Sequence, residues 1–233
     1  ARACFAAGAG GIHAHVRDED EAHVLDAGLY RELLSEMRAA VPQMQVQITT
    51  EAVGRYSPEE QRALVDAVMP EAVSVAVREM VPGQDTSQDT SEARAFYQGC
   101  LDRGIAVQHI LYSAEDLERF FDLVGAGVVP GDAHQLLFVL GRYAADQQSA
   151  PEDLEPFLQT MADRRGDLRL DWAVCAFGRR ETECVAEAVR RGGKARIGFE
   201  NGLWNSDGGV AKDNADRVRD LVSALRQENL MPA

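Results

Sequence analysis

Seven short apolar runs alternate along this chain with longer stretches in which apolar residues recur at helical spacing. The predicted strands are residues 11–16, 45–50, 72–77, 105–112, 135–141, 170–177 and 195–200. The stretches between them carry apolar residues three and four positions apart, which predicts amphipathic helices. Regular strand–helix alternation favours a parallel sheet with right-handed crossovers, in units of ~30 residues. The alternation therefore restricts the chain to an α/β fold.

The number of predicted strand–helix units is closest to that of a (βα)8 TIM barrel. Such a barrel needs eight strand–helix units, and the chain supplies seven strands preceded by residues 1–7, which resemble the end of a helix. The simplest account is a single TIM-barrel domain over residues 1–233 whose first strand is missing from this sequence. An open doubly wound sheet is the competing architecture. No GxGxxG follows the first strand, which argues against a Rossmann dinucleotide site.

The net charge of the chain argues against some classes of binding partner. The chain has 38 acidic and 24 basic side chains, a net charge of -14, which argues against nucleic acid and anionic membranes. No apolar run approaches the ~20 residues that cross a bilayer, and no signal peptide opens the sequence. Its four cysteines are scattered without metal-type spacing, which predicts reduced thiols in a cytoplasmic protein.

Two histidines stand one residue apart in the first predicted strand. Side chains alternate along a strand, so His13 and His15 point to the same face. Two imidazoles on one face, near the end of a strand, can converge on a single metal ion. The alternative is a pair of core histidines that are hydrogen-bonded to their neighbours.

The last predicted strand adds a buried charge pair. Arg196, Gly198 and Glu200 share one face of it, and buried charges are costly unless they are paired or bound. The first and last strands of a closed barrel lie near each other, so Glu200 can reach an ion held by His13 and His15. Two histidines and a carboxylate suit catalytic zinc, and non-haem iron uses similar ligands. The alternative for Glu200 is a salt bridge with Arg196.

Functional side chains of a barrel cluster where its strands end. The further candidates of this kind are Arg17, Thr49, Thr50, Ser74 and Gln108. The remaining histidines receive other interpretations. His109 has the opposite parity to Gln108 and is predicted to face the helices, His134 is predicted to be structural, and His23, in a charged loop, is predicted to be exposed to solvent.

Several motifs together resemble the β-keto acid cleavage enzymes. The run at residues 7–18, which contains His13-Ala14-His15-Val16-Arg17-Asp18, resembles the start of that family, and residues 196–201 resemble its last strand. Thr49-Thr50 is similar to the family's Ser/Thr-Thr-Gly-Gly turn. The resemblance implies a (βα)8 barrel that forms a homotetramer and binds zinc or another divalent metal. It also implies a reaction in which a β-keto acid and acetyl-CoA give acetoacetate and a new acyl-CoA.

The resemblance also implies roles for individual residues. His13, His15 and Glu200 would hold the metal, Arg196 would counter developing negative charge, and Thr49 would hydrogen-bond the substrate or a catalytic water. Asn201 would belong to the catalytic group as well. The residues expected to contact the substrate are Arg17, Thr50, Ser74 and Gln108.

Two amides stand where the family usually has acids. The family often reads Glu-Asp-Asn where this chain has Glu200-Asn201-Gly202, and Pro-Glu-Leu-Glu where it has Val107-Gln108-His109-Ile110. Amides cannot exchange a proton in catalysis, so the two motifs do not identify the general base. The particular β-keto acid is not identified either, because specificity in the family depends on a few pocket side chains. Two other functions stay as alternatives: a metal-dependent hydrolase of the amidohydrolase type, and a binding barrel that retains its metal without activity.

Overall fold

The computed structural model describes residues 1–82, 89–144 and 146–230, which form a TIM-barrel-like α/β fold. The strands are β1 (Gly11–Ala14), β2 (Gln45–Thr49), β3 (Ala72–Ala76), β4 (Ala106–Leu111), β5 (Ala133–Leu140), β6 (Arg169–Ala176) and β7 (Lys194–Ala195). The helices are α1 (Arg2–Ala6), α2 (Ala27–Ala40), α3 (Pro58–Val68), α4 (Val77–Met80), α5 (Asp89–Asp102), α6 (Ala114–Gly125), α7 (Glu155–Arg164), α8 (Glu181–Arg190) and α9 (Asn214–Gln227). No helix in the described ranges is long and apolar enough to span a membrane.

The chain divides into two compact units, and the prediction of a single domain stays a prediction. The first unit comprises Gly10–Ile110 and Arg119–His134 together with Ala1. The second comprises Arg2–Ala9, Leu111–Glu118 and Gln135–Ala233.

In the first unit the strands from β1 to β4 are parallel neighbours in chain order. Paired residues of adjacent strands face the same side of a sheet. The pairs His13 with Gln47, Thr49 with Ser74, and Ser74 with Gln108 therefore put five polar side chains on one face. The opposite face is the buried apolar core and includes Ile48, Val73 and Val75, all fully buried.

In the second unit β5, β6 and β7 follow one another in chain order, and β6 and β7 are parallel. Helix α8 packs on β6 and β7, and α1 packs on α9. Buried thiols, Cys175 on β6 and Cys184 on α8, belong to this core. All four cysteines of the chain are free.

Helix starts follow the local signals of the sequence. Ser57 caps α3 in a reciprocal capping box with Glu60, and Pro58 takes the first helical position, where its missing N–H has no cost. The carboxylate of Asp213 accepts a hydrogen bond from Asp216 N, 2.7 Å away, and so caps α9.

The prediction that the last strand spans residues 195–200 is wrong beyond its first residue. β7 ends at Ala195, and the residues after it form a turn. The reason is that side chains take the backbone N–H groups a neighbouring strand would use. Gly198 N donates to Glu181 Oε1 over 3.1 Å, and Phe199 N donates to Asn214 Oδ1 over 2.8 Å. The ladder ends because its donors are already occupied.

Candidate active site

Two histidine rings converge beside the end of β1. His13 lies on the strand and His15 lies one residue beyond it, and both are half-buried. Their Nε2 atoms are 3.0 Å apart, so that one N–H donates to the other nitrogen, and the rings meet edge to face with centroids 5.0 Å apart. The alternation expected of a strand therefore brings both imidazoles to one point.

This pair fits a divalent metal ion. A tetrahedral zinc ion with Zn–N bonds of about 2.0–2.1 Å separates two nitrogen ligands by about 3.3 Å. The observed Nε2–Nε2 separation of 3.0 Å lies close to that value. Replacing the shared proton with a metal ion would need little movement of the rings, and imidazole is a ligand that zinc favours.

A chain of hydrogen bonds connects His13 to the next strands. Gln47 Oε1, on β2, lies 2.8 Å from His13 Nδ1. The amide of Gln47 in turn donates from Nε2 to Gln108 Oε1, on β4, over 3.2 Å. His13 is thus held from the side away from His15, and Gln47 is a site residue that the sequence reasoning missed.

His15 has a different environment, which includes Glu51 and His23. Its Nδ1 lies 4.0 Å from Glu51 Oε2, and its ring centroid is 4.9 Å from that of His23. The prediction that His23 is exposed is wrong, because residues 18–22 turn back and pair His23 with Arg17. His23 Nε2 donates to the carbonyl oxygen of Glu51 over 3.1 Å. Burial, together with the nearby His15, lowers the pKa of His23 below its usual 6.5.

A second carboxyl group, that of Glu79, binds the backbone next to Glu51. Glu79 Oε2 accepts hydrogen bonds from Ala52 N at 3.1 Å and from Gln61 Nε2 at 3.2 Å. Burial raises the pKa of Glu79 above its usual 4.5, and the charge of Glu51 adds to the effect. Glu79 therefore fixes the turn after β2, which carries Glu51.

The predicted substrate contacts differ in how far their polar atoms are already used by hydrogen bonds within the protein. Thr49 Oγ1 accepts from Glu51 N at 3.0 Å, and Thr50 Oγ1 donates to Ser74 O at 3.0 Å. Ser74 is fully buried on the polar face, and its hydroxyl has no partner among the described residues. Arg17 lies on the exposed hairpin and donates to Glu21 O at 2.6 Å.

His109 faces the helices, as its parity indicates. It is 2% exposed, and its ring centroid lies 5.4 Å from that of Tyr97, 4.8 Å from Phe120 and 6.1 Å from His134. Burial lowers the pKa of His109 to about 3. The amidohydrolase alternative needs a middle-strand histidine on the site face, and His109 does not supply it.

In the second unit, Arg196 and Glu200 form the salt bridge foreseen as one alternative for Glu200. Arg196 Nη2 lies 2.5 Å from Glu200 Oε2. The guanidinium also has a buried Nη1 without a partner among the described residues. A buried donor of this kind fits a carboxylate ligand, because an unpaired charged donor is costly. The Arg196 side chain is 17% exposed and that of Glu200 is 41% exposed.

A buried ion pair supports the turn that carries Glu200. Glu181, whose Oε1 accepts from Gly198 N, binds Arg217 Nη2 through Oε2 at 2.8 Å, and both side chains are fully buried. Burial raises the pKa of Glu181 to about 7, although Arg217 opposes the change. Asn201 is 8% exposed, and its carbonyl oxygen accepts from Gly178 N at 3.1 Å.

Comparison with known families decides the class of the protein. The model of the family described as β-keto acid cleavage enzyme matches residues 1–233, the whole chain. The chain belongs to this family. The motif-based resemblance is thereby confirmed, while the roles of individual residues stay predictions.

Two relatives agree with this placement. The chain is 24% identical to 3-keto-5-aminohexanoate cleavage enzyme of Fusobacterium nucleatum, over 97% of its own length and 80% of the relative. It is also 24% identical to 3,5-dioxohexanoate:acetyl-CoA acetone transferase of Paraburkholderia graminis, over 94% of this chain and 77% of the relative.

The solved structures show the fold. Type I 3-dehydroquinate dehydratase of Clostridium difficile superposes with a TM-score of 0.54 at 10% identity, covering 87% of this chain and 77% of that one. A spore coat polysaccharide biosynthesis protein of Bacillus subtilis gives 0.54 at 14% identity, covering 100% of this chain and 65% of that one. The predicted TIM-barrel-type class is confirmed.

Proposed function

We propose that this protein is a metal-dependent β-keto acid cleavage enzyme that consumes acetyl-CoA. The β-keto acid R–CO–CH2–COO⁻ and acetyl-CoA would give acetoacetate and R–CO–CoA, so that the acetyl group and the R–CO group exchange partners. The observation that carries the proposal is the convergent pair of Nε2 atoms on His13 and His15, in a chain that matches this family over its whole length.

We infer that His13, His15 and Glu200 hold the metal ion, with zinc the first candidate. The histidine pair fits such an ion on the geometry of its two nitrogens, and Glu200 is assigned by its position in the family-like run at residues 196–201. A bound divalent ion would act as a Lewis acid toward the keto and carboxylate oxygens of the substrate.

The remaining residues would bind and orient the reactants. Arg196 Nη1, which has no partner within the described ranges, is the donor that fits the substrate carboxylate, and it would counter negative charge that develops during exchange. The buried hydroxyl of Ser74, which has no partner in the described part of the chain, is a further donor for substrate, and it lies on the same face as Thr49 and Gln108. Gln108 keeps its amide N–H groups for substrate because its oxygen is already bonded to Gln47.

Proton transfer needs a group other than the two amides. Gln108 and Asn201 stay as substrate and transition-state contacts in this proposal, with Thr50 and Arg17 as outer contacts. Thr49 would orient substrate or a water through its hydroxyl. We further expect a homotetramer, as the family resemblance implies, and a cytoplasmic location, as the scattered cysteines predict.

An exchange assay tests the proposed function. Zinc-loaded protein is incubated with acetyl-CoA and each member of a β-keto acid panel, and acetoacetate and the new acyl-CoA are followed by mass spectrometry. We expect equal amounts of both products from one class of substrate, and loss of both in His13→Ala. The matched control is His134→Ala, which removes a histidine outside the polar face. Bound metal without either product across the panel would refute the exchange reaction and favour the binding-barrel alternative.

A further inference from the structure

We propose that Gln47 and Gln108 are positioning residues that hold His13 in the tautomer required for metal binding, with the proton on Nδ1 and the lone pair on Nε2. The inference rests on the metal-binding part of the proposed function. It does not depend on which substrate the enzyme takes.

The direction of the hydrogen bonds follows from the orientation of the two amides in the structure. Each amide has one oxygen that accepts and one nitrogen that donates. Gln47 Nε2 is engaged with Gln108 Oε1 at 3.2 Å, so the group that Gln47 presents to His13 is its oxygen, 2.8 Å from Nδ1. An oxygen at that distance accepts, and therefore His13 Nδ1 carries the proton.

The consequence appears on the other ring nitrogen. A neutral imidazole has one protonated and one bare nitrogen, so His13 Nε2 is bare and faces His15 Nε2 at 3.0 Å. His15 must then supply the proton of that contact. The pair is asymmetric: His13 is ready to bind a metal ion, and His15 gives up its Nε2 proton when the ion arrives. Its Nδ1, 4.0 Å from Glu51 Oε2, is the nitrogen that can then be protonated.

Gln108 has a distinct part in this arrangement. If its oxygen were absent, the amide of Gln47 could rotate and present Nε2 to His13 instead. The proton of His13 would then move to Nε2 and block the metal position. With its oxygen toward Gln47, as in the structure, the amide at position 108 holds the orientation of Gln47, and a carboxylate there would hold the same orientation.

Nitrogen NMR of the metal-free protein tests the inference without any assay of activity. Protein labelled with 15N-histidine is examined by long-range proton–nitrogen correlation, which distinguishes protonated from bare ring nitrogens. The chain has five histidines, and the spectrum of His13→Ala assigns the signals of His13. We expect a protonated Nδ1 and a bare Nε2. A protonated Nε2 on His13 in the wild-type protein would overturn the proposal directly.

Variants connect the tautomer to metal affinity. In Gln47→Leu and in Gln108→Leu we expect a mixture of His13 tautomers and zinc affinity that is about 10- to 100-fold lower by competition with a chelator. Gln47→Glu restores an acceptor that needs no orientation, so its affinity should recover and become insensitive to Gln108→Leu. The matched control is Gln45→Leu, the same change at an exposed position on the same strand, which should leave both readouts unchanged.

The outcomes separate this inference from the proposed function. Wild-type tautomer and affinity within twofold in Gln47→Leu would overturn the inference, even if the enzyme makes acetoacetate. The expected tautomer and affinity changes would sustain it, even if no β-keto acid were cleaved. Any variant is scored only after its circular dichroism matches that of the wild type, and Gln47→Glu provides the test if Gln47→Leu fails to fold.

Discussion

Arg217 Nη2 lies 2.8 Å from Glu181 Oε2, and neither side chain is exposed to solvent. The guanidinium also reaches Asn205 Oδ1 at 3.1 Å and Thr182 Oγ1 at 3.3 Å, while Glu181 holds Gly198 N. One buried pair thus connects α8, α9 and the turn that follows β7. Such networks fix a local geometry, and among the described residues Arg217 Nε is the member of this one that has no partner.

Removing one partner of this pair should be costly. Arg217→Met would leave Glu181 buried without its cation, and we expect a loss of about 3–5 kcal/mol in the free energy of unfolding, measured in urea. Arg219→Met, on the exposed side of the same helix, should cost less than about 1 kcal/mol. Equal losses in the free energy of unfolding for the two variants would show that the buried pair contributes no more to stability than the exposed arginine does. Arg217→Met combined with Glu181→Leu should recover much of the loss, because no buried charge then remains.

Acid should destabilise the first unit through His109. Burial lowers its pKa from 6.5 to about 3, so between those pH values the unfolded state binds a proton that the folded state does not. Stability is then lost as pH falls below 6.5, by up to about 1.4 kcal/mol per pH unit. We expect His109→Gln to show a smaller fall in unfolding free energy between pH 6.5 and pH 5 than the wild type does. Parallel pH dependences would contradict the assignment.

Gly202 should tolerate no side chain. A Cβ there would collide with Glu181 Oε2 and would lie 2.8 Å from the carbonyl oxygen of Gly178. We expect Gly202→Ala to cost about 1–3 kcal/mol of unfolding free energy and to displace the turn that carries Glu200, with a loss of exchange activity. At Gly125 a Cβ meets nothing within 4 Å, so Gly125→Ala is the matched control. Full activity and stability in Gly202→Ala would show that the turn is not held by this contact.

Glu51 should support metal binding through His15. Its carboxylate is 4.0 Å from His15 Nδ1, which is longer than a hydrogen bond, and a small movement of the side chain would bring it within reach of the proton of a metal-bound imidazole. We expect Glu51→Gln to lower zinc affinity by about 10-fold, measured by chelator competition, since an amide is a weaker acceptor. Glu59→Gln removes an exposed carboxylate from the first turn of α3 and is the control. An unchanged affinity in Glu51→Gln would remove Glu51 from the site.

We expect the guanidinium of Arg196 to bind the carboxylate of an anionic substrate. Lysine can replace the charge but cannot bond Glu200 and a carboxylate in the planar geometry of a guanidinium. For Arg196→Lys we expect kcat/KM in the exchange assay to fall about 10²-fold, since one charge-stabilising donor is lost. The exposed Arg191→Lys serves as control. A wild-type kcat/KM in Arg196→Lys would separate Arg196 from substrate binding.

The sequence predicts the structure best where the deciding interactions join residues that are close together in the chain. The parity of a strand is enough to bring His13 and His15 together and to turn His109 toward the helices. The cap of α3 follows from Ser57 and Pro58, because each acts on its own backbone or on a residue three positions away.

The sequence predicts least where distant side chains compete with a regular element. β7 ends early because Glu181 and Asn214, 17 and 15 residues from their partners, take its backbone donors. Gln47 is 34 residues from His13, and no local pattern connects the two. The sequence predicts the wrong exposure for His23, because charged neighbours mark its loop as exposed, whereas the hairpin turns its ring toward His15.

Labelling of the three buried cysteines can report local opening of the folded protein. Thiol reagents attack the thiolate, and burial raises the pKa to about 11 for Cys100 and Cys184 and to about 12 for Cys175. In the folded protein these sulfurs are both inaccessible and protonated, so each is alkylated at the rate at which its own element opens. Cys100 lies in the first unit, and Cys175 and Cys184 lie in the second. Without any mutation, the order in which the three are labelled reveals whether the two units open together or one before the other.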